Sequence, residues 1–348
     1  MKSEARMKAV VFHQHGDEGV LQLAEHPEPT VGARDVLVRV KAVALNHLDI
    51  WTRKGWPGLK LELPHILGSD VAGVVERVGA EVKDLAPGTE VVVNPGLSCG
   101  ACARCLSGED NLCRSYRIIG EHVRGGYAEL LSVPRQNILP KPSRITFAEA
   151  ACLPLTYLTA WTMLVRRADV KPGETVLVHA AGSGVGSAAV QICKLLGATV
   201  IATASTEDKL QRARQLGADH TINYVEKDFL EEVKRITQRK LVDVVFEHVG
   251  AATFEKSVAC LPYGGRLVTC GATTGHEVKL DLRVLFYKRI SLLGSTMGSK
   301  GDLFRVLQLV EEGRLKPVLD RTLPLADAAL AHRLLKDRAQ FGNVVLIP

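Results

Sequence analysis

Aromatic residues make up only 5% of the 348-residue chain, and its 44 Lys and Arg are scattered rather than gathered into runs. A nucleic-acid surface needs a basic stripe with stacking rings, so this composition argues against one, while a net charge of +6 still suits a small anionic cofactor. Long apolar runs are missing as well. No segment approaches the ~20 apolar residues of a membrane span. The first apolar stretch, residues 9–12, runs at once into His13, Gln14 and His15, unlike a secretory leader. The expected address is the cytoplasm, with neither membrane nor nucleic acid as a partner. Internal repeats and low-complexity tracts are also lacking. Apolar material is not: 46% of residues are hydrophobic, enough for sizeable cores, and the length exceeds what one core usually serves, so two domains are expected.

Cysteine is distributed unevenly. Cys99, Cys102, Cys105 and Cys113 fall within fifteen residues, a spacing that lets a tight loop wrap and saturate one zinc ion as a closed structural site. A zinc held by four local thiolates has no open position for substrate, so chemistry must be sought elsewhere. An iron–sulfur cluster fits less well, because the bacterial pattern continues into a Cys-Pro pair, whereas here the fourth cysteine comes later and precedes Arg114. Cys152, Cys193, Cys260 and Cys270 stand singly among apolar or small residues, as free buried thiols do, which argues against disulfides.

The texture changes along the chain. Residues 8–12, 35–45, 71–78, 90–93 and 127–133 read as strands, punctuated by Pro27, Pro29, Gly32, Pro57, Pro64, Pro87, Gly88 and Pro95, and predict a barrel-like antiparallel domain. From about residue 148 strands alternate with helices. Strands are expected at 175–180, 199–204, 220–224, 242–247, 266–270 and 290–295, with helices at 185–196, 207–216, 229–237 and 254–261. That alternation predicts an α/β domain with a doubly wound parallel sheet. A helix over 303–312 and a last strand over 342–347 return toward the first domain. The expected boundaries are 1–155, with the cysteine lobe at about 96–114, then 156–296 and 297–348.

Between the first strand and helix of the second domain lies the turn Ala180, Ala181, Gly182, Ser183, Gly184, Val185, Gly186. Small residues there let backbone approach a pyrophosphate while the helix start offers unpaired N–H groups to its charge. Alone the turn is weak evidence; inside a repeated strand–helix pattern it predicts dinucleotide binding. An NAD site usually carries Asp or Glu at the end of the second strand. Here Thr203, Ala204, Ser205 and Thr206 come before Glu207, and Lys209 follows. Ser205 can donate to a 2′-phosphate and Lys209 can offset its charge, so NADPH is expected.

These features together resemble the medium-chain dehydrogenase/reductase superfamily over essentially the whole chain. The matching runs are VALNHLD at 43–49, HILGSDVAG at 65–73, the lobe at 96–113, GGYAEL at 125–130, AAGSGVG at 180–186 and GSTM at 294–297. The resemblance implies a GroES-like antiparallel barrel for the substrate, a Rossmann domain for the nicotinamide cofactor, an active site between them and a homodimer or homotetramer. The lobe corresponds to the structural zinc lobe of zinc-type alcohol dehydrogenases, with its four ligands intact. The catalytic zinc ligands are not intact: Asn46, Ser69 and Leu155 stand at the three ligand positions.

Asn46 with Asp49, and Ser69 with Asp70, instead look like the zinc-free NADPH:quinone reductase branch. The resemblance further assigns cofactor contacts to His47, Thr159, Tyr224 and Asn343, the last at a position commonly basic. Gly250 and Gly271 suit loops at the ligand-bearing sheet edge. Without a Lewis acid, hydride transfer is easiest to an acceptor activated by conjugation, a quinone or an α,β-unsaturated carbonyl, with Asn46, Ser69 or Tyr157 as donors toward its oxygen. Two other readings remain open: alcohol or aldehyde dehydrogenase activity at an atypical site involving His47, His65, Asp70 or His122, and a nicotinamide-binding protein without catalysis.

Overall fold

Alternating apolar residues give Asp35–Ala44 a buried face almost along its length, and this strand is the hub of the first sheet. One of its edges pairs antiparallel with Asp70–Val78. Leu130–Pro134 and Asn343–Ile347 pair with it at its two ends. The sheet continues from Asp70–Val78 through Glu90–Val93 to Ile138–Pro140, and from Asn343–Ile347 to Leu319–Pro324. A smaller sheet joins Gln22–Pro27, Arg6–Phe12 and His65–Ile66. Val36, Val38, Val43, Val71, Val91, Tyr127 and Leu346 belong to the core that the two sheets enclose.

The computed structural model describes residues 5–348. The chain forms two units, one running to Leu155 and taking in Gly298–Pro348, the other Thr156–Met297. The second unit holds six strands, all parallel, in the order His220–Asn223, Thr199–Ala204, Thr175–Val178, Val244–Glu247, Arg266–Thr269, Ser291–Gly294. Helices Gly184–Leu195, Glu207–Gln215, Phe229–Ile236 and Phe254–Ala259 connect them. Leu177, Ile201, Val245 and Leu267 are fully buried in its core. The strand order reverses beside Thr175–Val178, the point where such sheets open a crevice for ligands. Among the described residues no helix is long and apolar enough to cross a membrane.

Candidate functional site

The cysteine lobe is built from very short elements. Gly96–Leu97 pairs antiparallel with Arg117–Ile118 and closes the neck. Inside the loop, the helix Ala103–Leu106 and the turn Asp110–Leu112 bring the cysteines together. The four sulfurs all lie within 4.8 Å of one another. Cys99 and Cys105 are 3.8 Å apart, and Cys102 and Cys105 3.6 Å. Tetrahedral zinc with bonds of about 2.3 Å holds its sulfurs about 3.8 Å apart, so the donor set fits that ion. Bound there, zinc supplies a cross-link to a lobe whose Leu106 and Leu112 are exposed rather than packed in a core. Polar ties hold it too: Lys300 Nζ donates to Asp110 at 2.8 Å and to Ser98 Oγ at 3.0 Å, and Gln136 Nε2 to Ser98 O at 3.3 Å. Among the described residues this is the one group of three or more His, Cys, Asp or Glu whose donors converge in this way.

Around Asn46 the same unit buries carboxylates. Asn46 precedes the helix His47–Lys54, and its backbone N–H donates to Asp49 Oδ2 at 2.7 Å. Asp49 Oδ1 accepts from Gly68 N at 2.9 Å. Gly68 is required there, with φ +97° and a Cβ that would lie 2.4 Å from the Tyr127 ring. Asp70 is fully buried; its Oδ2 accepts from Asn46 Nδ2 at 2.9 Å and its Oδ1 from Leu155 N at 2.8 Å. Asp70 thus bridges Asn46 and Leu155, two of the three positions at which the resemblance placed lost metal ligands. At the third, Ser69 Oγ is buried without a hydrogen-bond partner among the described residues. Burial raises the Asp70 carboxyl well above its usual range, and raises Asp49 to about 7 against the pull of its donors.

A chain of hydrogen bonds anchors this helix from behind. Arg53 is buried, with Nε on Gly16 O and Nη1 2.9 Å from His332 Nδ1. Guanidinium can only donate, so His332 Nδ1 accepts and its Nε2–H points to the Tyr127 hydroxyl, 3.2 Å away. The Tyr127 proton is then left for Asp49, whose carboxylate it stabilises. Desolvation, with Arg53 alongside, lowers His332 to about 3, so the ring stays neutral. His65 is lowered to about 4 by burial and lies 3.2 Å from Gly120 O. His47 is half-buried with its ring 6.3 Å from that of Trp51, and His122 lies on the turn after Ile118. Asn343 is buried at the start of the last strand, its Oδ1 without a partner among the described residues.

In the parallel-sheet unit the turn after Thr175–Val178 fits a dinucleotide. Ser183 caps the helix Gly184–Leu195 by accepting from Gly186 N at 2.9 Å. A Cβ on Gly186 would lie 2.4 Å from Ala180 O, so only glycine allows the helix to start this close to the strand. Gly182, Gly184 and Val185 complete that turn. Thr159 is buried with its Oγ1 unpartnered among the described residues, an orphan suited to a cofactor amide. A nicotinamide dinucleotide held there would carry the hydride. At the end of Thr199–Ala204, Ser205 is half-buried, Thr206 caps the next helix through Lys209 N, and the Lys209 side chain is half-buried. Tyr224 lies just beyond His220–Asn223, partly exposed, with its N–H on Ala204 O. Tyr157, expected as a donor toward substrate, is fully buried and its hydroxyl accepts from Gln191 Nε2 at 2.8 Å.

Sequence reasoning passed over a cluster at the same sheet edge. Glu247 Oε1 accepts from the backbone of Val249 at 2.6 Å and Gly250 at 3.2 Å. Its Oε2 accepts from Thr253 and Ser257, and Ser257 Oγ is 2.9 Å from His179 Nε2. Glu247 therefore shapes the turn holding Gly250, whose φ is +94°. Gly271 follows the neighbouring strand and accepts from Thr269 Oγ1. The signal was a carboxylate ending the apolar run at 244–247. Glu121, buried on the turn beside His122, was also passed over, as were Arg53 and His332.

Comparison with known proteins agrees with both halves. Residues 32–143 match the family described as alcohol dehydrogenase GroES-like domain, and residues 184–312 match zinc-binding dehydrogenase. An NAD-dependent alcohol dehydrogenase of Sulfurisphaera tokodaii is 34% identical over 340 residues, covering 94% of this chain and 96% of that one. Quinone oxidoreductase 1 of Escherichia coli is 32% identical, covering 97% and 99%. A crystal structure of an NAD-dependent alcohol dehydrogenase superposes with a TM-score of 0.95 at 54% identity, covering 98% and 100%. The chain belongs to the medium-chain dehydrogenase/reductase superfamily, an oxidoreductase with zinc-type alcohol dehydrogenase-like domains.

Proposed function

We propose that the protein transfers hydride from NADPH to a conjugated carbonyl acceptor, a quinone or an α,β-unsaturated carbonyl, without a catalytic metal. The observation that carries this reading is the Asp70 bridge. An amide, a hydroxyl and an alkyl side chain stand where a zinc dehydrogenase needs ligands, and hydrogen bonds to Asp70 already take one N–H of the Asn46 amide and the Leu155 N–H, leaving the second Asn46 N–H to donate. A conjugated acceptor needs less help than a simple ketone, because its own π system spreads the charge that hydride brings. Asn46 and Ser69 are the groups proposed to meet that charge. His47, Thr159, Asn343, Tyr224 and the glycine turn are proposed cofactor contacts. NADPH is favoured over NADH because no carboxylate ends the strand Thr199–Ala204, while Ser205 and Lys209 follow it.

Steady-state assays with both cofactors and a panel of quinones, enones and alcohols test the reading. Reduction of the conjugated acceptors with NADPH is expected. Metal-dependent alcohol turnover alone would overturn it. Two of the similar proteins are named NAD-dependent alcohol dehydrogenases, which favours that second reading, alcohol oxidation with NAD. Cofactor binding with no turnover across the panel would mark a protein without catalysis.

An even-numbered homo-oligomer is also proposed. Ser291–Gly294 ends the six-stranded sheet, and Leu282, Phe286, Tyr287 and Tyr263 in the same unit are exposed. Light scattering reads the assembly directly.

A further inference from the structure

Glu121 differs from the other buried carboxylates in having no donor. Asp49 receives two backbone hydrogen bonds and the Tyr127 hydroxyl, and Asp70 receives two hydrogen bonds. Glu121 is 8% exposed, and its Oε2 has no hydrogen-bond partner among the described residues. His122 lies beside it, with Nδ1 3.6 Å from Oε2. That nitrogen accepts the Ile118 N–H at 3.1 Å, so its lone pair is in use and it carries no proton to give. Burial and Arg117 also hold His122 below its usual range, keeping the ring neutral.

The other groups around Glu121 do not compensate a charge either. Asp49 repels it, and the buried Tyr116 hydroxyl has no partner among the described residues. Behind Gly120, His65 is neutral. Desolvation first, and Asp49 second, raise Glu121 to about 7. A carboxyl in this setting keeps its proton far above the usual carboxylate range, up to about pH 7, with an O–H to donate.

Its place in the fold gives that proton a use. A Cβ on Gly120 would lie 2.7 Å from the Gly68 carbonyl carbon, so the backbone before Glu121 lies directly on the backbone before Ser69. The same close approach recurs at Gly125, whose Cβ would meet Gly68 O at 2.3 Å. Glu121 and Ser69, each with an unpartnered buried oxygen, therefore flank one backbone contact, at the position where the resemblance puts a lost metal ligand.

We propose that Glu121 is the proton donor of the reduction, passing its carboxyl proton to the acceptor oxygen. This rests on the reading under Proposed function. As the acceptor takes up hydride from the reduced nicotinamide, its displaced π pair moves to oxygen, the Glu121 O–H bond breaks and a new acceptor O–H bond forms. A quinone so treated becomes the hydroquinone, and an enone the enol, which tautomerises to the saturated carbonyl. The carboxylate left on Glu121 regains a proton from solvent on the His122 side, where that side chain is 39% exposed.

Infrared titration of the cofactor-free full chain tests the protonation state. A carboxylic acid carbonyl band that disappears near neutral pH and is missing from Glu121→Gln is expected; an ionised Glu121 well below pH 7 overturns the proposal whatever the substrate. With NADPH and the best conjugated acceptor, Glu121→Gln should lower kcat about 100-fold with little change in KM, and Glu121→Asp should restore part of it. The wild-type decline in kcat toward alkaline pH should vanish in Glu121→Gln. A kcat within about twofold of wild type, with an unchanged pH profile, overturns the proposal. If the wild type reduces no conjugated acceptor, the functional reading fails and the proton-donor role with it, while the infrared result still separates an acid from a carboxylate.

Discussion

In the cysteine lobe four sulfurs converge to the spacing of one tetrahedral ion, and almost no apolar packing holds the loop. Around Asp70, in the same unit, two positions that bind metal in zinc dehydrogenases are joined by a carboxylate accepting from Asn46 and Leu155, inside a dense core. Where packing is poor, a metal is the available cross-link. Where packing is good, hydrogen bonds hold the same kind of junction, and Ser69 Oγ and Glu121 Oε2 remain without a partner among the described residues.

The largest expected effect breaks the comparison from the lobe side. Replacing Cys102 and Cys105 together by Ser should abolish zinc binding and open residues 96–118 to limited proteolysis, leaving the sheet core protected. Elemental analysis with peptide mapping of the digest checks this, and retained zinc would contradict it.

Next in size, Asp70→Asn leaves one acceptor oxygen and turns an amide N–H₂ against a donor. A loss of about 2–3 kcal/mol in denaturant unfolding is expected, with zinc content unchanged. Unaltered stability would show that the bridge holds nothing.

A smaller effect follows from pH. Asp49 and Glu121 are both raised in the fold to about 7 from ordinary values of 3.8 and 4.5. Between those limits the folded chain holds protons that the unfolded chain has released, so the contribution of these two groups to stability is greatest below the ordinary carboxylate range. It falls as pH rises through about 7, then levels. Urea midpoints across this range should show that decline, and Glu121→Gln should flatten it; an equal slope in the variant would assign the titration elsewhere.

Much of this was legible beforehand. The predicted strands at 35–45, 71–78 and 90–93 appear as Asp35–Ala44, Asp70–Val78 and Glu90–Val93, because each carries apolar residues at strand period or in short buried runs. Gln22–Pro27 was not foreseen: none of its residues is fully buried, and backbone pairing to Arg6–Phe12, with the half-buried Ala24 against the core, holds it as an edge. The helix Leu282–Lys288 likewise buries nothing and shows no one-sided pattern. The cysteine lobe could be read because its ligands are local. Glu121, His332 and Glu247 could not, since their meaning depends on partners brought together by folding, such as His332 against Arg53 across 279 positions.

The smallest expected effect lies in the parallel-sheet unit, where no metal-ligating cluster converges among the described residues. Lys209→Ala should weaken NADPH binding by about 1 kcal/mol, roughly fivefold in Kd before solvent screening, with NADH affinity unchanged. Titration calorimetry with both cofactors checks it, and an equal response to each would remove Lys209 from the 2′-phosphate contact.

The contrast between lobe and bridge is tested most directly by counting zinc in the enzyme as purified and active. Elemental analysis should give one zinc per chain, released when the cysteines are modified. Two zincs per chain, the second lost together with hydride transfer, would contradict the account.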